Sequence, residues 1–338
     1  MPTAVAPLPS PAAEKHKSGD FNHSPLVVFF EVTQACDLVC QHCRACAQRL
    51  ADANELSSGV ARQLIDQLTE FPQPPLLVLT GGDPFKRADI FSLVEYASNA
   101  GLEVAITPSA TPLVTPSRLR RLRDAGIARV ALSLDGANEV THDTFRGVEG
   151  SFDRTLEILL TANVLGIPTQ VNTTVTPRNA SQLDELAETL ANLEIVLWSV
   201  FFLVPTGRAA GMPRLTAEEC ERVFERLWHH ARRQPYAIKT TEAPHFRRFV
   251  AIERRMSAPS TDRTVSVRPS RGYGVNDGRG VMFVGHTGKI YPSGFLPIEC
   301  GRFPKHHLVE VYQRSPLFLA LRDASQLQGK CGECEFRK

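Results

Sequence analysis

Three cysteines carry the most demanding chemistry this chain could do. Cys36, Cys40 and Cys43 stand in a C-x3-C-x2-C run. Three thiolates on one tight loop can hold three irons of a [4Fe–4S] cube, a cluster type ligated by cysteine. The fourth iron then has no protein ligand and can bind a substrate or cofactor directly. The competing chemistry is zinc. Zinc sites commonly use C-x2-C pairs, and Cys46 raises the local count to four.

Other residues with chemical potential follow in short polar runs. In Thr80-Gly81-Gly82-Asp83-Pro84, paired glycines let the backbone approach a ligand and Asp83 offers an acceptor. The same composition also suits a plain turn. Thr107-Pro108-Ser109, Ser133-Leu134-Asp135-Gly136 and Pro205-Thr206-Gly207-Arg208 are further runs of this kind. Arg146 and Arg154 could each pair a carboxylate through a guanidinium fork, or stand as solvated charges.

These residues need a frame to bring them together. Six β-rich runs, at about residues 26–32, 76–80, 102–107, 129–134, 169–175 and 195–203, alternate with helical stretches. The helical stretches lie at about 57–70, 88–98, 117–125, 152–165 and 181–192. Nearly continuous apolar strands predict burial on both faces, as in a parallel sheet. Gly101, Gly126 and Gly166 lie just beyond three helices, where a left-handed end favours glycine. Each strand–helix–strand step is long enough for a right-handed crossover. The fold class is therefore α/β, a partial or complete (β/α) barrel, with a flat doubly wound sheet as the alternative. In a barrel the loops after the strands gather at one face. The cysteine loop and the polar runs all sit at strand ends, so they would meet there.

Composition bounds the rest. The chain has 338 residues, 43% hydrophobic and 22% charged, with a net charge of +2. That balance argues against a nucleic-acid-coating protein. No apolar run approaches the length of a membrane span. Residues 1–24 lack an apolar leader and are rich in Pro, Ala and Ser, so they read as a flexible tail. Eight cysteines in such a chain fit reduced, metal-binding thiols in the cytoplasm better than disulfides.

The C-x3-C-x2-C triplet and the Gly-Gly-Asp-Pro run together resemble the signatures of the radical S-adenosylmethionine (SAM) superfamily. The resemblance implies a partial (β/α)6 TIM-type barrel over residues 25–235, with a [4Fe–4S] cluster on Cys36, Cys40 and Cys43. It implies that the open iron chelates SAM and that one electron then yields a 5′-deoxyadenosyl radical. Gly81, Gly82 and Asp83 stand at the family's Gly-Gly-Glu-Pro motif, whose surroundings bind the SAM amino group. Here Asp83 shortens the usual acid by one methylene, so the backbone role is the one carried over. Ser109, Ser133 and Asn172 fall where relatives contact the ribose or carboxylate, and either Arg146 or Arg154 where an arginine pairs the SAM carboxylate.

Residues 236–338 resemble the SPASM or twitch extension, a small irregular domain that carries an auxiliary iron–sulfur cluster. Cys300, Cys331 and Cys334 are its candidate ligands. Ser293 stands where many members have cysteine, so the auxiliary site is either incomplete or cut short; a structural or zinc C-x2-C is the alternative. The whole run looks most like the haem d1 and alternative-haem biosynthesis subgroup. That likeness implies action on a tetrapyrrole propionate, an external electron donor, and basic residues 247–255 as possible clamps. His245 and His286 are weaker candidates for a haem iron. The rival readings are a peptide-modifying SPASM maturase and a non-catalytic iron–sulfur protein.

Overall fold

A computed structural model describes residues 21–256 and 274–337. Ten strands form one open sheet in the order β10-β9-β8-β1-β2-β3-β4-β5-β6-β7. The first strands are β1 (Val27–Thr33), β2 (Leu76–Gly81), β3 (Val104–Ile106), β4 (Arg129–Ser133), β5 (Thr169–Val175), β6 (Leu197–Phe202) and β7 (Ala237–Thr241). They run parallel, each beside its predecessor. On the far side of β1, β8 (Val281–Val284) is also parallel, and β9 (Lys289–Tyr291) and β10 (Gly301–Arg302) close with antiparallel pairs.

The helices lie outside the sheet. They are α1 (Ser58–Thr69), α2 (Ile90–Asn99), α3 (Pro116–Asp124), α4 (Glu139–Arg146), α5 (Ser151–Val164), α6 (Leu183–Asn192), α7 (Ala217–Ala231) and α8 (Phe246–Met256). Three short helices follow: α9 (Leu308–Arg314), α10 (Pro316–Arg322) and α11 (Gly329–Glu333). Local rules set their ends. Ser57 caps α1 by accepting from the Val60 N–H, and Thr216 and Glu219 form a reciprocal capping box on α7.

Strand alternation divides the sheet into two faces. Val28, Phe30, Val32, Leu77, Leu79, Val130, Leu132, Val171, Trp198, Val200 and Ile238 join the core beneath the helices. Their neighbours in sequence, among them Arg129, Ser133, Gln170, Asn172, Ser199 and Lys239, therefore belong to the inner face of the partial barrel. This is the parallel α/β sheet expected, and it is open rather than closed.

Three readings need correction. The strand–helix alternation runs beyond the six expected runs and the boundary at residue 235, because β7 and α8 continue it; β7 is short and ends in three consecutive polar residues, so it shows no apolar strand run. Residues 21–24 are not a loose tail. Phe21 and Ser24 are buried, the former in the concavity that Gly280 leaves by having no side chain. Residues 1–20 and 257–273 lie outside the described residues. The basic run on α8 is not a free clamp: Arg248 pairs with Glu221, and Arg247 donates to the Val275 carbonyl at 2.7 Å. No helix among the described residues is long and apolar enough to cross a membrane.

Candidate functional site

The loop after β1 carries Cys36, Cys40 and Cys43, and several elements pin it. The Cys36 N–H donates to Gln48 at 2.6 Å, closing the loop on itself. The C-terminal end of α4 supplies carbonyls from the other side: Val39 N–H donates to Arg146 and Gln41 N–H to Phe145. Gly147, left-handed at the end of α4, packs against Val39 where a side chain would collide. The Arg208 N–H donates to the Cys43 carbonyl at 3.0 Å, and Gly207 lies so close to Arg44 and Cys43 that a Cβ would sit 2.4 Å from a carbonyl oxygen.

The Gly-Gly-Asp loop after β2 locks to the same segment. Gly82 N–H donates to Thr33 at 2.9 Å and Asp83 N–H to Ala35 at 2.6 Å. A Cβ on Gly81 or Gly82 would lie 2.2 or 2.3 Å from these backbone oxygens, which accounts for both glycines. Asp83 is fully buried and its carboxylate is already occupied. It accepts from Phe85 N–H, Ser109 N–H and Thr111 Oγ1. Burial pushes its pKa up, and those donors only partly offset it. Asp83 therefore ties the loop after β2 to the loop after β3.

Ser109 sits at the meeting point. Its Oγ donates to the Gly82 carbonyl at 3.2 Å and lies 3.3 Å from Cys36 Sγ. Burial pushes the Cys36 thiol up, while Ser109 and the Leu38 N–H act against it. Ser133 and Asn172 are register partners across β4 and β5, and Asn172 Oδ1 accepts from Gln170 at 2.7 Å.

The two arginines separate. Arg146 Nη1 lies 3.6 Å from Cys40 Sγ, and Nη2 pairs with the wholly buried Asp135. Burial opposes the Arg146 charge, but Asp135 and Cys40 outweigh it and hold its pKa above the usual value. Burial likewise opposes the Asp135 carboxylate, and Arg146 holds its pKa down. The guanidinium thus stands against one of the three thiols of the triplet. Arg154 instead lines a groove between the 111–116 loop and α5 with Thr111, Pro112 and Glu157.

Sequence reasoning missed the role of two histidines. His42, between the second and third cysteines, is 3.8 Å from Asp135, and burial lowers its pKa to about 4. His142 Nδ1 accepts from the Asp135 N–H at 3.0 Å, and burial brings it to about 4 as well. The position of His42 inside the triplet was the available signal. The Asp135–Arg146 pair had none, because α4 must fold before the two meet.

The C-terminal thiols stand differently. Cys300 Sγ donates to Ile298, Cys331 is exposed, and Cys334 Sγ accepts from the Phe336 N–H. Ser293, at the position of a missing cysteine, is buried and caps a turn by accepting from Phe295 and Leu296. The weaker haem-iron candidates are also engaged: His286 Nδ1 bonds Glu31 at 2.6 Å, and His245 packs edge-on to Phe224.

The donor set at the first loop fits an iron–sulfur cube. Its three thiols lie on one loop, and thiolates on a cube each take a different iron. His42 Nδ1, Arg146 Nε, Arg208 Nε and Thr206 Oγ1 are buried around this loop without hydrogen-bond partners. Such unpaired groups are costly unless a ligand meets them.

Comparison with known proteins agrees with this arrangement. The family model described as the Radical SAM superfamily matches residues 30–190. The AdoMet-dependent heme synthase of Methanosarcina barkeri is 35% identical over 321 residues, covering 94% of this chain and 90% of that protein. The AdoMet-dependent heme synthase of Nitratidesulfovibrio vulgaris is 34% identical, covering 92% of this chain and 85% of that protein. Among solved structures, Streptococcus suis SuiB bound to S-adenosylmethionine is similar in fold, with a TM-score of 0.71 at 20% identity over 92% of this chain and 71% of that one.

Proposed function

The chain belongs to the radical SAM superfamily, and from that membership we propose that it modifies or removes a propionate side chain of an iron tetrapyrrole in haem-type biosynthesis. Two relatives named AdoMet-dependent heme synthase, similar over nearly the whole chain, support the substrate class. The observation that carries the site is the position of Ser109, within 3.3 Å of Cys36 Sγ and bonded to the Gly82 carbonyl. It joins the cysteine loop, the Gly-Gly loop and the loop after β3 at one point.

In this reading Cys36, Cys40 and Cys43 hold the cluster; residues 25–235, continued by β7 and α8, form the SAM-cleaving barrel, and the remainder of 236–338 is its extension. Cluster and SAM, when bound, supply one-electron cleavage and hydrogen-atom abstraction. The chain's own residues do the rest. Arg146 sets its guanidinium beside Cys40 Sγ, and Asp135 keeps Arg146 in place. Gly81 and Gly82 hold their strand end against the cysteine loop, and Ser109, Ser133 and Asn172 offer polar atoms to SAM. Arg154 and Cys300, Cys331 and Cys334 have no role in this first step. An external donor supplies the electron, and the compartment is the cytoplasm.

The test is anaerobic. Iron and sulfide are restored, the protein is reduced, and 5′-deoxyadenosine is measured with SAM and iron-coproporphyrin III. Expected are the nucleoside and a lighter tetrapyrrole, both lost in a Cys36→Ala, Cys40→Ala, Cys43→Ala variant. Nucleoside without any change in the tetrapyrrole would remove the substrate assignment and leave the superfamily chemistry.

A further inference from the structure

The inner face of the sheet carries charge that the cysteine loop does not use. Arg129 opens β4, and Lys239 is the middle residue of β7. Val130 and Ile238 beside them belong to the core under the helices, so alternation sends both cations to the inner face. Ser133, Asn172, Ser199 and Lys239 form one register row across β4 to β7. Lys239 thus shares a level with the residues assigned to SAM.

Neither cation is satisfied. Arg129 Nη1 reaches Gln170 Oε1 only at 3.5 Å, and its Nε is buried without a hydrogen-bond partner. Among the described residues Lys239 has no hydrogen-bond or ion-pair partner. Burial lowers the Lys239 ammonium to about 8, and Arg129 adds repulsion. Burial also holds Arg129 below its usual value, against the field of Glu103. Two partly buried cations within reach of one space repel each other, and an anion placed between them offsets that repulsion. A carboxylate answers both: its oxygens match a guanidinium fork and accept from an ammonium.

We propose that Arg129 and Lys239 form a carboxylate subsite on the inner face of the barrel, which takes one propionate arm of the substrate and so orients the macrocycle at the mouth. The identity of the acid rests on the tetrapyrrole reading above; the carboxylate chemistry rests on the two cations. Gln170 bridges the subsite to Asn172, to which its Nε2 donates at 2.7 Å. The position of the bound arm is thereby coupled to the register row that faces SAM.

The experiment titrates iron-coproporphyrin III and its tetramethyl ester into the reconstituted protein under anaerobic conditions and follows the Soret band. Variants are compared at equal iron content, so that loss of fold is not read as loss of binding. The parent should bind the acid more tightly than the ester. Lys239→Met and Arg129→Gln should each weaken acid binding by about tenfold and leave ester binding near the parent's, while Lys239→Arg retains most of the acid affinity. Variants that bind the acid as tightly as the parent overturn the subsite. A parent that binds neither probe removes the tetrapyrrole reading, and a second measurement then decides the subsite alone. Acetic anhydride labelling of Lys239, read by peptide mass spectrometry, should be slower in excess sodium propionate than in sodium chloride of equal ionic strength. Equal rates overturn it.

Discussion

The two cysteine regions of this chain are built on opposite principles. Cys36, Cys40 and Cys43 lie in a loop that α4, the Gly-Gly-Asp segment and the Gly207 turn grip from three sides. Cys36 and Cys40 are buried. Cys331 sits on the five-residue α11 and Cys334 caps its C-terminal end, with Cys331 open to solvent and no buried side chain in that helix. In the reading proposed above the loop of Cys36, Cys40 and Cys43 holds the cluster, and the segments that grip it would keep the three thiols in place. Among the described residues the C-x2-C segment is held mainly by local contacts, Gly332 N–H to the Gln328 carbonyl and Phe336 N–H to Cys334 Sγ.

The broadest break of this contrast removes the thiols. The triple alanine variant at Cys36, Cys40 and Cys43 should lose the brown chromophore, and 5′-deoxyadenosine should fall to background. Cys331→Ala with Cys334→Ala should keep SAM cleavage; a matching loss there would erase the distinction between the two regions.

Support rather than ligation is tested next. Arg146→Met strands the buried Asp135 carboxylate, and breaking a buried pair from one side costs about 3–5 kcal/mol. The denaturant midpoint should fall and iron retention with it. Adding Asp135→Asn should recover part of the loss, because the uncompensated charge is gone. Unchanged stability in Arg146→Met would show that the pair does not hold the loop. Gly147→Ala is milder. Its φ of +68° is left-handed, and the new Cβ meets Val39 Cγ2 at 2.6 Å and the Val39 carbonyl oxygen at 3.0 Å. A cost of about 1–2 kcal/mol is expected from the backbone conformation, read as a lower melting temperature.

Much of this was legible in the sequence. The triplet spacing, the paired glycines and the apolar runs gave the barrel and the cysteine loop, because spacing and period are local properties. Asp83 was legible only as an acceptor; that it would bond Thr111 and Ser109 depends on how the loops after β2 and β3 converge. Arg146 could not be told from Arg154, since both follow the same strand. Only the docking of the α4 end against the loop at Val39 puts the first beside Cys40. β7 and β8 were missed for different reasons: β7 has only two apolar residues followed by three polar ones, and β8 pairs with β1 across more than 240 residues of chain, as the Val27–Val281 register shows. Sequence period carries no information about such a partner.

The smallest expected effect concerns the seam between the cysteine side and the C-terminal hairpin. Glu31, at the end of β1, accepts from Arg44 at 2.8 Å and bonds His286 Nδ1 at 2.6 Å. Arg44 follows Cys43 directly, so this contact joins the loop to the β8–β9 turn. The bond to Glu31 raises the His286 pKa above 6.5 despite partial burial. Stability from that shift is fully present below the unfolded value of 6.5 and is lost as pH rises through the folded one. Burial opposes the Glu31 charge, yet His286 and Arg44 keep its pKa below 4.5, so its share is present above 4.5 and lost only on acidification through the folded value. The seam is therefore strongest between these limits. The parent's melting temperature should decline, relative to a His286→Gln variant, as pH is raised above 6.5. At pH values just below 6.5 the variant should melt lower than the parent, by less than Arg146→Met does. Parallel pH curves for parent and variant would show that the hairpin is held by the β8–β1 pairing alone and that this ion pair contributes nothing to joining the two regions.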